Sequence, residues 1–345
     1  MISLDGSSGG GQILRTALGL SVVTKTPFRL TNIRGGREVG GLKTQHLEAL
    51  KAIALLCDAE VTGAKLGSTE VTFAPEKITR DALDVEIGTA GSVGLVFQTL
   101  QLVPYVLKEP LHVHVRGGAT YGKWAPPVDY ITRVFLPVVK RFGYRTEFDV
   151  KREGFYPKGG ADVTFVLHPP EGASPLLAMS RGKPVSFTDR GFIRGVHVYS
   201  VASTELKRAR VAERQAAAAA QALKPLGRDT TVEVSYELSD NPGSGVVCYA
   251  EYEHTVLGGD AIGEKSVSAE DVGKSAAEKL LKAMDSGCIT DRQTSDMILP
   301  FLALSGGQAH LQEVTNHVRT NIVVIEAFLG KRLELDGTTV RSTGS

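Results

Sequence analysis

The chain has 345 residues, of which 42% are hydrophobic and 22% are charged, and its 39 basic side chains nearly balance 38 acidic ones. A chain of this length can bury more than one ordinary core, and the composition is that of a soluble globular protein. The net charge of +1 excludes a globally positive field, so any nucleic-acid partner has to be held by local patches.

Targeting and redox signals point to the cell interior. The sequence contains no apolar run of about 18 residues, so no membrane span is expected. The opening "MISLDGSSGG" has neither the basic leader nor the apolar stretch of a secretion signal. Cys57, Cys248 and Cys288 are far apart and odd in number, which favours free thiols in a reducing compartment. We therefore expect a cytoplasmic protein, with the nucleus as the alternative in a eukaryote.

The first part of the chain predicts the order strand, helix, strand, helix, strand, strand. A short strand at residues 1–5 leads into a glycine run and then a helix with apolar residues at helical spacing, among them Ile13, Leu14 and Val22. Strand patterns follow at residues 27–33, 59–64 and 69–75, with an amphipathic helix over 47–57. Residues 83–169 repeat this order, which indicates an internal repeat.

A third copy is expected to be interrupted. Its later part would contain the helical pattern over 268–284, the segment 290–305 and the helix that follows His317. Residues 183–266 have a different character, with an alanine-rich helix and three strand patterns, and they predict a small inserted α/β domain. The predicted division is a main catalytic domain over 1–182 and 267–345, and an inserted domain over 183–266.

Two glycine-rich stretches are suited to binding anions. "GGGQILR" sends three glycines into a helix N-terminus, where backbone N–H groups and the helix dipole favour a negative group, and Arg15 lies one turn further on. "NIRGGREVGGLKTQH" places Arg34, Arg37, Lys43 and His46 among four glycines. The alternatives are a tight turn and a solvated basic loop, and the residues alone leave both open.

Three more stretches contain candidate polar groups. "IGTAGSVGLVFQT" is another Gly/Ser/Thr turn before a helix, with Gln98 inside it. The loop "GGATYGKWAPP" contains Trp124, which is either a packing anchor or an exposed ring that stacks on a base. Asp296 precedes an apolar helix, where it is either an N-cap or the partner of a histidine or metal.

His317 lies near the start of the last helical pattern, in "EVTNHVRTNIVVIE". A neutral imidazole is a competent nucleophile, and Arg319 beside it could hold phosphate oxygens during phosphoryl or nucleotidyl transfer. A lone histidine is more often structural. The number of anion-binding loops in one chain favours the chemical role, with His317 in a pocket loop just before the helix.

Seven segments occur here in the order found in RNA 3'-terminal phosphate cyclases, and over residues 1 to about 330 the sequence resembles that family. They are "GGGQILRTALGLS", "IRGGREVGGLKTQHLEALKA", "IGTAGSVGLVFQT", "APPVDY", "GFYPKGG", "SDMILPFLAL" and "NHVRTNIVVIEAFL". The resemblance implies repeated βαβαββ units as in enolpyruvyl transferase-like folds, with a small inserted α/β domain. It also implies ATP-dependent conversion of an RNA 3'-phosphate to a 2',3'-cyclic phosphodiester with a divalent cation, Mg²⁺ or Mn²⁺.

The resemblance also implies roles for particular residues. His317 precedes a Thr-Asn pair, as the family's nucleophilic histidine does, and would carry AMP covalently. The residues that match the family's nucleotide pocket are Gln12, Arg15, Gln98, Pro126 and Asp296. The residues that match its RNA phosphate-binding positions are Arg34, Arg37 and His46.

The chain also departs from the family pattern. The family's first loop contains a glutamate that helps bind metal and ATP, whereas this chain has "GSSGGGQ" and leaves the metal ligands unassigned, with Asp5 as one substitute. Glu153 stands where the family signature has His or Arg.

Two alternatives stay open from the sequence. One is a non-cyclising relative that binds or cleaves RNA in ribosomal RNA processing; retention of His317 argues against it. The other is an enolpyruvyl transferase-like enzyme acting on a small phosphorylated metabolite, which would need no nucleophilic histidine.

Overall fold

The computed structural model of the protein describes residues 1–170 and 185–343, and its first unit is a four-stranded sheet with two helices. The elements of this unit are β1 (Ile2–Asp5), α1 (Gln12–Thr24), β2 (Phe28–Thr31), α2 (Thr44–Leu56), β3 (Glu60–Thr62) and β4 (Val71–Ala74). Strands β1 and β2 are parallel, β2 and β4 antiparallel, and β4 and β3 antiparallel. The unit is thus a βαβαββ arrangement.

The second unit has the same arrangement over the next ninety or so residues. Its elements are β5 (Ala82–Ser92), α3 (Val93–Leu100), β6 (Leu111–Ala119), α4 (Val128–Tyr130), α5 (Leu136–Val139), β7 (Arg145–Arg152) and β8 (Asp162–His168). A π-helical stretch, Ile131–Phe135, joins α4 to α5. The sheet order β5-β6-β8-β7 corresponds strand for strand to β1-β2-β4-β3.

The third copy begins with β9 (Val185–Phe187). An inserted unit with its own four-stranded sheet then interrupts this copy. Its elements are β10 (Ile193–Ser203), α6 (Val211–Leu223), β11 (Thr230–Glu237), β12 (Ser244–Tyr252), β13 (Val256–Ile262) and α7 (Ala269–Asp285). The sheet order is β11-β10-β12-β13, and β10 is parallel to β11 and antiparallel to β12.

The third copy resumes after α7. Its elements are α8 (Arg292–Met297), α9 (Leu299–Ser305), β14 (Gly307–His310), α10 (Asn316–Leu329), β15 (Leu333–Asp336) and β16 (Thr339–Ser342). Here β9 is parallel to β14, β14 antiparallel to β16, and β16 antiparallel to β15. Single turns of 3₁₀-helix lie at Val103–Val106, Lys140–Phe142, Thr204–Leu206 and Lys224–Leu226. The predicted class, α/β with repeated βαβαββ units, is confirmed.

The sequence pattern predicts that the helix over 268–284 belongs to the third copy, but in the structure α7 packs on the inserted sheet. Its Ala276 and Leu280 are fully buried in one cluster with Val196 of β10 and Leu257 of β13. The strand β9, in turn, belongs to the third copy by its pairing with β14. We infer that the inserted unit extends from Ile193 to Asp285; the division into domains otherwise stays a prediction.

The three copies share one large hydrophobic core, which includes Leu14 of α1, Phe97 of α3 and Ile325 of α10. Helices α1 and α10 pack against each other, and the hydrogen bond from Thr16 to Asn321 shows that they meet near their N-terminal ends. The Asn316 side chain donates to the Ser8 carbonyl oxygen at 2.7 Å across this junction. None of the helices in the described ranges is long and apolar enough to cross a bilayer.

Candidate functional site

The first glycine loop, residues 6–11, is held by the carboxylate at the end of β1. Asp5 accepts hydrogen bonds from the Ser7 amide at 2.9 Å, the Ser7 hydroxyl at 2.8 Å and the Asn32 side-chain amide at 3.0 Å. The bond from Asn32 and those from Ser7 lower the pKa of Asp5. Asp5 therefore anchors this loop.

His46 lies directly behind the glycine loop and is nearly fully buried. Its Nδ1 accepts from the Lys43 amide at 3.2 Å, which places the ring proton on Nε2. Burial, and then the charges of Arg15 and Arg34, lower the pKa of His46 to about 3. A Cβ at Gly11 would lie 1.9 Å from Nε2, so this position requires glycine. His46 is thus a neutral N–H donor pressed against the loop.

Arg15 is the cation of the site, and the residue is half-buried. Its Nε is buried without a hydrogen-bond partner in the described part of the chain. Burial lowers the pKa of Arg15 to about 10, so the guanidinium keeps its charge at neutral pH. A buried donor without a partner is costly, and an anion that binds here would receive charge-assisted hydrogen bonds from Arg15.

The basic loop between β2 and α2 uses its two arginines differently. Nη1 of Arg34 donates to the carbonyl oxygens of Val39 at 2.9 Å and Gly41 at 3.1 Å, so this guanidinium also holds its own loop together. Arg37 reaches the first glycine loop, where its Nη2 would be 3.5 Å from a Cβ at Gly10. This structural role of Arg34 could not be predicted from the sequence of the loop.

His317 and Asp296 form a hydrogen-bonded pair. Nδ1 of His317 lies 3.2 Å from Oδ2 of Asp296, and Oδ1 of Asp296 accepts from the Thr315 hydroxyl at 2.7 Å. The side chain of His317 is 43% exposed, whereas that of Asp296 is only 16% exposed. When Nδ1 keeps its proton and donates it in the hydrogen bond to the carboxylate, the lone pair of the neutral ring is on Nε2.

Two expectations about this pair need correction. His317 lies in the first turn of α10 and not in a loop before it, because Thr315 is the N-cap and accepts from the Val318 amide at 3.1 Å. Asp296 is not a cap either, because Asp291 caps α8 and accepts from the amides of residues 293 and 294. Its position on a helix next to α10 makes Asp296 the histidine's partner.

Asn321 was not predicted from the sequence, although it lies four residues after His317, a spacing that puts both on one side of a helix. Its Nδ2 donates to the Asp296 carbonyl at 2.8 Å, and its Oδ1 accepts from the Thr16 hydroxyl at 2.8 Å. Asn321 therefore fixes α1, α8 and α10 relative to one another beside the histidine.

A small cleft lies where α1, α3, α8 and α10 meet. Its lining residues are Gln12, Arg15, Thr16, Gln98, Gln101, Asp296, Met297, Pro300 and Asn321. Two further polar atoms here, Oε1 of Gln12 and Oε1 of Gln101, are buried without hydrogen-bond partners in the part of the chain described. Four residues predicted to bind nucleotide, Gln12, Arg15, Gln98 and Asp296, are therefore gathered in one cleft.

Pro126 lies beside the cleft, whereas Trp124 lies at the surface. The Pro126 carbonyl would be 2.9 Å from a Cβ at Gly94, which places this proline against the start of α3, the helix that carries Gln98. Trp124, two residues earlier, is 86% exposed and so is not a packing anchor.

Residues 1–170 and 185–343 contain no group of three or more His, Cys, Asp or Glu side chains that could hold a metal ion.

Together these features define an α/β protein with three βαβαββ units and a carboxylate-oriented histidine at the edge of a cleft lined by Arg15. The family model described as "RNA 3'-terminal phosphate cyclase" matches residues 7–335. The chain therefore belongs to the RNA 3'-terminal phosphate cyclase family, a family of enzymes.

Curated relatives are similar over nearly the whole chain. The RNA 3'-terminal phosphate cyclase of Pyrococcus abyssi is 40% identical over 339 residues, covering 98% of this chain and 96% of its own. That of Methanopyrus kandleri is 41% identical with the same coverages, and that of Halobacterium salinarum is 38% identical with 94% of each chain covered.

Proposed function

We propose that this protein converts an RNA 3'-terminal phosphate to a 2',3'-cyclic phosphodiester, with ATP as co-substrate and His317 as the nucleophile that carries AMP. The observation that carries the proposal is the His317–Asp296 pair at the edge of a cleft that contains Arg15. The carboxylate selects the ring tautomer in which Nε2 has a free lone pair. The same residue pattern is what the family resemblance implies.

The proposed reaction has three displacements. Nε2 of His317 attacks the α-phosphorus of ATP, the α–β bridging bond breaks, and pyrophosphate leaves with its electron pair. An oxygen of the RNA 3'-phosphate then takes the AMP and frees the imidazole. Finally the neighbouring 2'-hydroxyl loses its proton and attacks the 3'-phosphorus, and AMP leaves.

Residues around the cleft are assigned by their charge and position. We assign Gln12, Arg15, Gln98, Pro126 and Asp296 to the nucleotide. Arg15 is suited to the phosphates because it lines the cleft and its buried Nε has no hydrogen-bond partner among the described residues, so an anion bound here would receive charge-assisted hydrogen bonds.

The RNA phosphate is assigned to Arg34, Arg37 and His46. Of these, Arg37 has its guanidinium next to the first glycine loop and His46 offers a neutral Nε2–H behind it. Arg34 contributes with the donors that its own loop does not use.

A divalent cation, Mg²⁺ or Mn²⁺, fits this site only as an ion bound mainly by phosphates. Magnesium is commonly held by one or two carboxylates together with substrate phosphates and water. Asp5 is the carboxylate at the first glycine loop, and it has lone pairs beyond those used by Ser7 and Asn32. When bound, the cation would screen the charge of the triphosphate.

The test uses RNA with a radiolabelled 3'-phosphate and the protein with ATP and magnesium or manganese. The proposal predicts that the label becomes resistant to phosphatase, and that omitting ATP prevents this. Bound RNA with a label that stays phosphatase-sensitive would instead support the non-cyclising alternative in ribosomal RNA processing.

The three cysteines are free and buried, which accords with the proposed cytoplasmic location.

A further inference from the structure

Trp124 and Tyr156 form an exposed aromatic pair that the site described above does not use. Trp124 is 86% exposed and Tyr156 is 38% exposed, and their ring centroids are 6.4 Å apart with an angle of 67° between the planes. The Lys123 ammonium lies 5.4 Å from the centre of the indole and 5.5 Å from that of the phenol. Large aromatic side chains are usually well buried, so an indole held in water requires an explanation other than packing.

The backbone under Trp124 is fixed in an unfavourable conformation. Its φ of +64° lies in the left-handed region, which is rare for a bulky side chain and costs free energy unless the surroundings impose it. The surroundings are well bonded. The Tyr156 amide donates to the Tyr121 carbonyl at 3.1 Å, and the Val128 amide donates to the Thr120 carbonyl at 2.9 Å. The pair is therefore preorganised, although the indole gains little burial from it.

One connection joins the pair to the cleft through α3. Pro126, two residues after Trp124, has its carbonyl against Gly94 at the start of α3. Gln98, four residues along the same helix, lines the cleft. Four residues of α-helix span about 6 Å, so this connection is short.

A second connection passes through the inserted unit. Lys123 forms an ion pair with Glu264 at 2.8 Å, just after β13. Asp260, on β13, accepts a hydrogen bond from Gln293 of α8, and α8 also carries Asp296. The pair is therefore connected through the inserted unit to α8, the helix that carries the partner of His317.

We propose that Trp124 and Tyr156 are a stacking platform for a base of single-stranded RNA, a few nucleotides upstream of the 3' end. Lys123 and the exposed Lys158 would face the adjoining phosphates. This inference rests on the proposed function, which supplies the RNA. Aromatic faces accept any base, which suits a protein that acts on the end of a chain and not on a sequence.

Trp124 is the only tryptophan of the chain, so its fluorescence reports directly on the platform. The probes are an eight-uridine RNA with a 3'-phosphate and the matching two-uridine RNA. The longer RNA should quench the emission saturably, whereas the shorter RNA and ATP should leave it nearly unchanged. Trp124→Ala should weaken binding of the longer RNA roughly fivefold to a hundredfold, the range for loss of one stacked base, with little effect on the shorter one. Trp124→Phe should lie between Trp124→Ala and the wild type.

Binding is measured in parallel by anisotropy of end-labelled RNA, and folding of each variant by its thermal midpoint. If the longer RNA binds but leaves the fluorescence unchanged and Trp124→Ala binds it equally well, the platform is refuted while the proposed function stands. If neither RNA binds the folded wild-type protein, the proposed function and the platform are both refuted. A second variant, Tyr156→Leu, should reproduce part of the loss while the indole remains.

Discussion

Replacing Asp296 by asparagine isolates what the carboxylate does for His317, because asparagine has the same shape. In the wild type, Oδ1 accepts from the Thr315 hydroxyl at 2.7 Å and Oδ2 faces Nδ1 of His317 at 3.2 Å. In Asp296→Asn the side-chain oxygen should keep the bond from Thr315. The amide nitrogen then faces Nδ1 and donates to it.

That arrangement changes the tautomer of His317. Once Nδ1 accepts a hydrogen bond, the ring proton moves to Nε2, the atom that must attack phosphorus. Such an exchange should lower the rate of adenylation about 10²- to 10⁴-fold, which corresponds to an increase of roughly 3 to 5 kcal/mol in the activation free energy. The unfolding free energy should change by about 1 kcal/mol or less, since both hydrogen bonds of the side chain are retained in altered form.

The assay is the rate at which label from the α-phosphate of ATP becomes attached to the protein, with urea unfolding of the same samples. Thr315→Ser is the matched control, because serine keeps the hydroxyl that bonds Asp296 and caps α10. Wild-type labelling by a well-folded Asp296→Asn protein would refute the tautomer argument. A loss of labelling equal to the unfolded fraction of the Asp296→Asn protein would refute it as well.

Two further predictions concern the glycine loop and a buried acid. Gly11→Ala should destabilise the protein by about 1 to 3 kcal/mol in urea unfolding, because its Cβ would lie 1.9 Å from Nε2 of His46. The buried acid is Glu153. Burial, and then the charge of Asp129, raise its pKa from 4.5 to about 8. The stability that this neutral acid contributes is therefore present below pH 4.5 and is lost as the pH rises through 8. Between pH 5 and pH 9, Glu153→Gln should remove on the order of 4 kcal/mol of this pH-dependent loss in unfolding free energy.

Each of these has a direct control. Gly10→Ala is matched to Gly11→Ala, since a Cβ at Gly10 meets only the end of the Arg37 side chain at 3.5 Å. Equal unfolding free energies for the two variants would contradict the close packing of His46. For Glu153, the wild type and Glu153→Gln are compared at pH 5 and pH 9, and parallel pH profiles would show that the carboxyl is not buried in its neutral form.

The order of elements could be predicted from the sequence because local patterns determine it. The glycine run before Ile13 and Leu14 predicted α1, and the repeat of strand and helix patterns predicted the βαβαββ units. The placement of α7 could not be predicted, since its apolar residues fit either sheet and only long-range packing decides between them.

The chemistry of the site was partly predictable. His317 and Asp296 were identified as candidates, but Asp296 was equally typical of an N-cap, and only the presence of Asp291 five residues earlier resolves that choice. The bond from Thr16 to Asn321 joins residues 305 positions apart, and no local pattern indicates such a contact. The structural task of Arg34 depends on a loop conformation with positive φ, which the composition of the loop permits but does not dictate.

The central claim is that His317 becomes adenylated, and incubation with ATP labelled at the α-phosphate tests it most directly. The folded protein is incubated with magnesium or manganese and then separated on a denaturing gel. The account predicts an acid-labile, base-stable label that is absent from His317→Ala, the signature of a phosphoramidate at that residue. Label that persists in His317→Ala, or no label with either metal on folded wild-type protein that binds RNA, would contradict it.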